Sequence, residues 1–143
     1  LWNGYNAFYE VAPPEAVTRS TWARILDVHH AVHALLAVNE NGEALGFANY
    51  VLHPYTWSEQ PACLLEDLFT APQARGRGIG GALIQHLLDL GRARGWGRVY
   101  WHTREDNHVA RRLYERFTPY DGFVRYAVNL GPRPSTAGGV GRE

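Results

Sequence analysis

One stretch decides the fold: Leu64–Leu87, LLEDLFTAPQARGRGIGGALIQHL. Inside it Gly76, Gly78 and Gly81 spell G-x-G-x-x-G, the dinucleotide-binding pattern. In a doubly wound dinucleotide fold the first glycine follows its strand at once, and that strand opens the domain. Here APQAR separates Thr70 from Gly76, with Pro72 in the gap, and the unit begins near the middle of the chain. The sequence beyond it supplies one β-α-β crossover, where a dinucleotide needs two halves. The acid expected about 20 residues on comes slightly late, at Glu105 and Asp106. A Walker loop needs Gly-Lys-Ser/Thr, and all 14 basic residues are Arg.

The loop keeps its physics without that label. Glycines let main chain approach an anion, successive N–H groups form a nest, and a helix starting at Gly80 aims its positive end at the same spot. Arg75 and Arg77 add fork-shaped donors. The residues alone leave two readings open: a phosphate or pyrophosphate cradle, or a glycine-rich turn that merely starts a helix.

Working outward, Leu64–Thr70 reads as a strand and Gly80–Arg94 as a helix with Ile79, Leu83, Leu87 and Leu90 on one face, stopped by Gly95. Upstream, residues 1–10 repeat aromatics at helical spacing, and Glu15–Leu26 is a second helix after APPE. Val28–Val38 and Ala44–Leu52 read as strands joined by NENGE, a hairpin turn. HPYTWSEQPA, residues 53–62, reads as a loop. Downstream come a short strand, Arg98–Thr103, then a helix capped by Asp106 or Asn107 and running to about Phe117. A last strand is expected at Phe123–Leu130, and a disordered tail from Gly131. The order is α+β, or mixed α/β, with residues 1–130 as one domain and 131–143 as the tail.

Bulk properties exclude several classes. Lys+Arg and Asp+Glu are equal at 14 each, which argues against broad nucleic-acid binding. No run has the length of a membrane span. The single cysteine, Cys63, rules out an internal disulfide framework and fits a reducing cytoplasm.

Arg75–Leu83, RGRGIGGAL, resembles the R/Q-x-x-G-x-G/A loop of the GNAT N-acetyltransferase superfamily, and NHVARRLY, Asn107–Tyr114, matches that family's N-x-x-A-x-x-L/F-Y. LLEDLFT fits the strand expected before the loop, and the likeness covers residues 30–130. The Leu-Glu-Asp at 65–67 is most like the diamine and histone/polyamine acetyltransferase branches. Two departures stand out: the family's first strand is absent before the first helix, and FTPYDGF replaces the usual Gly-Phe after the tyrosine helix.

The resemblance implies a mostly antiparallel sheet flanked by helices, acetyl-CoA as cosubstrate, no metal, and a primary amine as acceptor. That acceptor is a polyamine, an amino-acid derivative or a protein lysine. The cosubstrate would lie on Leu68, Phe69, Thr70, Arg75, Gly76, Arg77, Gly78, Ile79, Gly80, Gly81, Asn107, Ala110 and Tyr114. Acyl transfer to an amine needs an in-line thioester, a neutral amine, donors for the developing oxyanion and a proton for the leaving thiolate. The resemblance gives the oxyanion donor to the Leu68 N–H, the acid to Tyr114 and the base, through water, to Glu66. Glu66 and Asp67, on opposite strand faces, would meet the cationic amine. It also implies a homodimer as an expectation, with no nucleic-acid or membrane partner. The rival is a degenerate acyl-CoA-binding sensor.

Weaker clusters point nowhere further. His29 and His33 share a face on a strand, without a carboxylate to complete a ligand set. His53 and His102 read as packing residues, with the acceptor cleft as the alternative. Cys63 lacks an evident histidine partner by sequence for a nucleophilic role.

Overall fold

Two long strands carry the structure. The computed structural model describes residues 1–131 and the backbone of Ser135 and Thr136. The elements are α1 (Trp2–Phe8), β1 (Val11–Ala12), α2 (Glu15–Leu26), β2 (Val32–Val38), β3 (Ala44–Tyr55), β4 (Ser58–Thr70), α3 (Ile79–Arg94), β5 (Arg98–Trp101), α4 (His108–Tyr114) and β6 (Ser135–Thr136). The main sheet has the order β2-β3-β4-β5. Its first two pairings are antiparallel and β4–β5 is parallel. β1 and β6 form a separate two-stranded antiparallel pair. This is the mixed, mostly antiparallel sheet with flanking helices that was expected.

The stretch expected as a loop at 53–62 is strand instead. β3 runs on to Tyr55 and β4 starts at Ser58, so the hairpin is far tighter than its polar composition suggests. The Asn39–Glu43 turn forms as read: Asn39 Oδ1 accepts from the Asn41 and Glu43 amides at 3.0 and 2.8 Å, and Gly42 takes φ +80°. His29 and His30 precede β2 instead of lying on it, so the shared strand face expected for His29 and His33 does not form; His33 stacks on Tyr50 at 5.2 Å. α4 ends three residues before Phe117.

Phe123–Leu130 is no strand, and every residue in it is exposed. Alternation reports which side of a strand is apolar, but a strand exists only through a hydrogen-bonded neighbour. After Pro119 the chain turns at Gly122, φ +86°, and the segment joins neither sheet. The tail expected from Gly131 lies outside the described residues from residue 132 on, apart from the backbone of β6.

The core lies between the sheet and α3. Ala48, Tyr50, Cys63 and Leu65 meet Leu83, Ile84 and Leu87. Burying each of the three α3 side chains contributes roughly 1.5–3 kcal/mol. The opposite face is aromatic: Trp2 and Tyr5 of α1 pack on Phe47 at 6.2 and 5.8 Å, and Tyr5 meets Phe69 edge-on. Trp2 Nε1 donates to Thr18 Oγ1 at 3.2 Å, which ties α1 to α2.

Candidate active site

The site begins with an irregularity in β4. Asn49 of β3 pairs with Asp67, but the next residue, Tyr50, pairs with Leu65. Glu66 is therefore an extra residue, a β-bulge. The bulge reverses the facing of everything after it. Before it, Cys63 and Leu65 face α3. After it, Leu68 and Thr70 approach Gly80 of α3, while Phe69 faces Tyr5 of α1. Simple alternation from Leu65 puts Asp67 on the α3 side; the bulge turns it toward α1 instead.

Pairing with β5 stops at the same place. β4 and β5 are in register from Ala62–Arg98 to Leu65–Trp101 and no further. Beyond Leu65, the β4 main chain has a neighbour on one side only. The gap opens into a cleft of about 570 Å³ lined by Leu68, Phe69 and Thr70, the loop and first turn of α3, and Asn107, Ala110 and Tyr114 of α4.

The loop is shaped by its glycines. Gly76 and Gly78 take φ +74° and +79°, a region that costs an L-residue roughly 1–2 kcal/mol. No side chain caps α3, so its first-turn amides are unpartnered within the helix and face outward with the positive end of its dipole. Gly80 and Gly81 do a second job. A Cβ on Gly80 would stand 3.2 Å from Leu113, and one on Gly81 3.1 Å from Arg116. Their absence of side chain lets α3 and α4 approach across the cleft. Arg75 folds back, its Nε donating to the Thr70 carbonyl at 3.3 Å with the guanidinium over Phe69.

α4 supplies the opposite wall. Asn107 caps it, Oδ1 accepting from the Ala110 amide at 3.2 Å. Seven residues on, Tyr114 projects into the cleft with its ring 5.4 Å from that of Trp101. Burial, with a smaller contribution from nearby Tyr9, pushes its hydroxyl up to about 12, so it holds its proton at neutral pH.

Of the residues expected at the site, the cleft brings together Leu68, Phe69, Thr70, Arg75, Gly76, Gly78, Ile79, Gly80, Gly81, Asn107, Ala110 and Tyr114. Arg77, Glu66 and Asp67 do not line it. Glu66 is exposed on the bulge. Asp67 accepts from Asn49 Nδ2 at 3.0 Å, and both carboxylates lie in range of the Tyr5 hydroxyl, which burial and then Asp67 push well above its ordinary value. Tyr5, Phe8 and Tyr9 of the α1 region also line the cleft, as do Val109, Leu113 and Arg116. Their helical spacing in the sequence signals an apolar face but not what that face covers.

Two side groups are settled by geometry. Cys63 is fully buried in the core and its thiol is pushed up to about 12 by burial, which leaves no thiolate for nucleophilic work. His53 Nε2 lies 2.9 Å from the Tyr100 hydroxyl, away from the cleft lining. Among the described residues no three His, Cys, Asp or Glu side chains converge, and no helix is long and apolar enough to cross a membrane.

Comparison with known proteins agrees with this geometry. The acetyltransferase (GNAT) family profile matches residues 1–118. The chain is 33% identical over 130 residues to the D-amino-acid N-acetyltransferase HPA3 of Saccharomyces cerevisiae, covering 90% of this chain and 81% of that one. It is 32% identical over 132 residues to the uncharacterized N-acetyltransferase YhfO of Bacillus subtilis, covering 91% and 87%. A crystal structure of a probable acetyltransferase superposes with a TM-score of 0.79 at 23% identity, covering 91% of this chain and 87% of that one, a likeness of fold.

Proposed function

Because this chain belongs to the GNAT family of acetyltransferases, we propose that its cleft transfers acetyl from acetyl-CoA directly to the primary amine of a small molecule. One observation carries the reading. The one-sided stretch of β4 after Glu66 leads through the Ala71–Gly78 loop to an uncapped helix start, with a protonated Tyr114 across the gap.

The residues fit the cosubstrate. Acetyl-CoA supplies an acyl group activated as a thioester. The amides of Gly76–Gly81, with Arg75 and Arg77, suit its pyrophosphate. The edge that Leu68 and Thr70 present past the end of the β5 pairing, where the Thr70 carbonyl already accepts from Arg75, suits the amide-bearing arm, as a strand edge suits an extended chain. The Leu68 N–H is the donor for the acyl oxygen as negative charge builds there. Tyr114 holds a proton for the departing sulfur. Glu66, through water, takes the proton that an ammonium must lose before it attacks. The new C–N bond forms as the C–S bond breaks. Of the two protons lost from the ammonium nitrogen, one balances the sulfur and one goes to solvent.

The relative named for D-amino acids supports an amino-acid derivative among the acceptors considered. The Leu-Glu-Asp likeness to the diamine and polyamine branches rests on residues 65–67 alone. A homodimer is supported by the exposed apolar alternation of Val124, Tyr126, Val128 and Leu130. The single buried thiol supports a cytoplasmic setting.

A thiol-release assay with acetyl-CoA over a panel of amino acids, alkylamines, polyamines and a lysine peptide tests the reading. Release with at least one small amine is expected. Binding of acetyl-CoA by calorimetry without release from any amine would leave a binding domain and overturn it.

A further inference from the structure

Acetyl-CoA is an anion through its phosphates, so the cleft that takes it needs cations. The charged side chains lining the cleft are Arg75 and Arg116, and among the described residues no carboxylate lines it. Arg75 is already engaged: its Nε donates to the Thr70 carbonyl at 3.3 Å and its guanidinium lies over the Phe69 ring. Arg116 is exposed and outside the ion pairs, which among the described residues use Arg19, Arg92, Arg104 and Arg111. Its neighbour Glu115 is drawn to Arg111, with Nε and Oε1 4.0 Å apart.

The end of α4 carries Arg116 to the glycine loop. The Arg116 amide donates to the Leu113 carbonyl at 3.3 Å, which keeps the chain wound just past the helix. Leu113 and Arg116 are three residues apart and share a side. They stand over consecutive residues of α3. A Cβ on Gly80 would meet Leu113 at 3.2 Å, and one on Gly81 would meet Arg116 Nη2 at 3.1 Å. Leu113 also packs on the core, which fixes the approach. The contact at Gly81 is with the charged tip of the arginine and not with its stem.

This brings a guanidinium against the first turn of α3, a turn that no side chain caps. Two positive ends then lie side by side, the arginine and the start of the helix dipole. Like charges so placed repel, and an anion between them turns the repulsion into attraction. The amides come from one wall of the cleft and the guanidinium from the other.

Resting on the acetyltransferase reading above, we propose that Arg116 clamps the pyrophosphate of acetyl-CoA from the α4 wall against the amides at the start of α3. Its planar fork offers parallel donors to one phosphate. The pyrophosphate is preferred to the phosphate on the ribose because Gly81 belongs to the same turn as those amides. Arg116 is a binding residue: its contact is the same before and during acyl transfer, so its loss falls on KM and not on kcat.

Calorimetry with CoA and with 3′-dephospho-CoA reads the contact without an acceptor. Arg116→Gln should weaken both by about tenfold or more, the weight of a charge-assisted contact, and Arg116→Lys should recover part of the loss. Arg112→Gln removes the same charge from an exposed position of α4 outside the cleft lining, and should stay within about twofold, as a distant exposed charge does. In thiol release, Arg116→Gln should raise the acetyl-CoA KM at constant kcat. Unchanged affinity in Arg116→Gln, a loss with CoA but not with its dephospho form, an equal loss in Arg112→Gln, or a fall in kcat at constant KM would overturn the proposal. No uptake of CoA by the unmodified protein would overturn the parent reading and the clamp together. Uptake that needs Arg116, without transfer to any amine, would uphold the clamp and overturn the parent reading alone.

Discussion

The two ends of the cleft are made of different material. At the loop end, the proposed cosubstrate end, the exposed groups are main-chain amides, shaped by Gly76 and Gly78 at positive φ and by the uncapped start of α3. At the end beneath α1, the proposed acceptor end, they are side chains: Tyr5 and Phe8 of α1, Tyr9 just after it, and Tyr114 of α4. A main-chain site depends on glycine spacing over a few consecutive residues. A side-chain site depends on how distant segments pack. The first kind suits a ligand that never varies, the second a ligand that does.

Variants at each end should separate the two. The largest effect is expected from Tyr114→Phe. Removing a general acid should lower kcat by about 100-fold or more with little change in acetyl-CoA KM; unchanged kcat in steady-state assays would remove the acid role. Its raised hydroxyl also predicts no loss of kcat from its ionisation up to about pH 10, since the acid form persists to about 12. Gly78→Ala breaks the other end. It should raise acetyl-CoA KM several-fold at nearly constant kcat, and cost about 1–2 kcal/mol in urea denaturation from the forced positive φ. A falling kcat with unchanged KM would contradict the division.

Asn107→Ala is smaller. Losing the α4 cap should cost about 1 kcal/mol, read as a lower Tm, with the proton-donor step spared. Smallest is a pH effect shared by the core and the α4 wall. Burial raises Cys63 from 9.0 and Tyr114 from 10.0, each to about 12. The folded chain therefore holds protons that the unfolded chain releases from pH 9 upward. That stability is whole below about pH 9 and is lost as pH rises toward 12. Urea midpoints taken from pH 8 to 10.5 should fall; a flat or rising series would contradict the burial.

The same division explains what was legible beforehand. Glycines at 76, 78 and 81, the cap at Asn107 and Tyr114 seven residues on are local patterns, and the sequence displays local patterns directly. The β4 bulge is not local: nothing in LLEDLFT says that Glu66 is extra, because the register comes from pairing with Asn49 and Tyr50 on β3. Hence the facing of Asp67 was out of reach. Tyr5 and Tyr9 stand between: their helical spacing marks an apolar stripe, and only the resemblance implies that a few of the aromatics Trp2, Tyr5, Phe8, Tyr9 and Trp22 wall the acceptor site. Phe123–Leu130 shows the converse, a strand pattern without a partner strand.

The bulge also separates length from identity. Replacing Glu66 by another residue leaves its neighbours where they are. Deleting it joins Leu65 to Asp67, which keep Tyr50 and Asn49 as partners, so β4 alternates regularly with Asp67 and Phe69 still toward α1 and Leu68 and Thr70 still toward α3. What a deletion removes is the bend and added twist that a bulge gives its strand, at the place where pairing with β5 stops. The extra residue works as a corner: its presence sets where β4 parts from β5, and which side chain it carries matters much less.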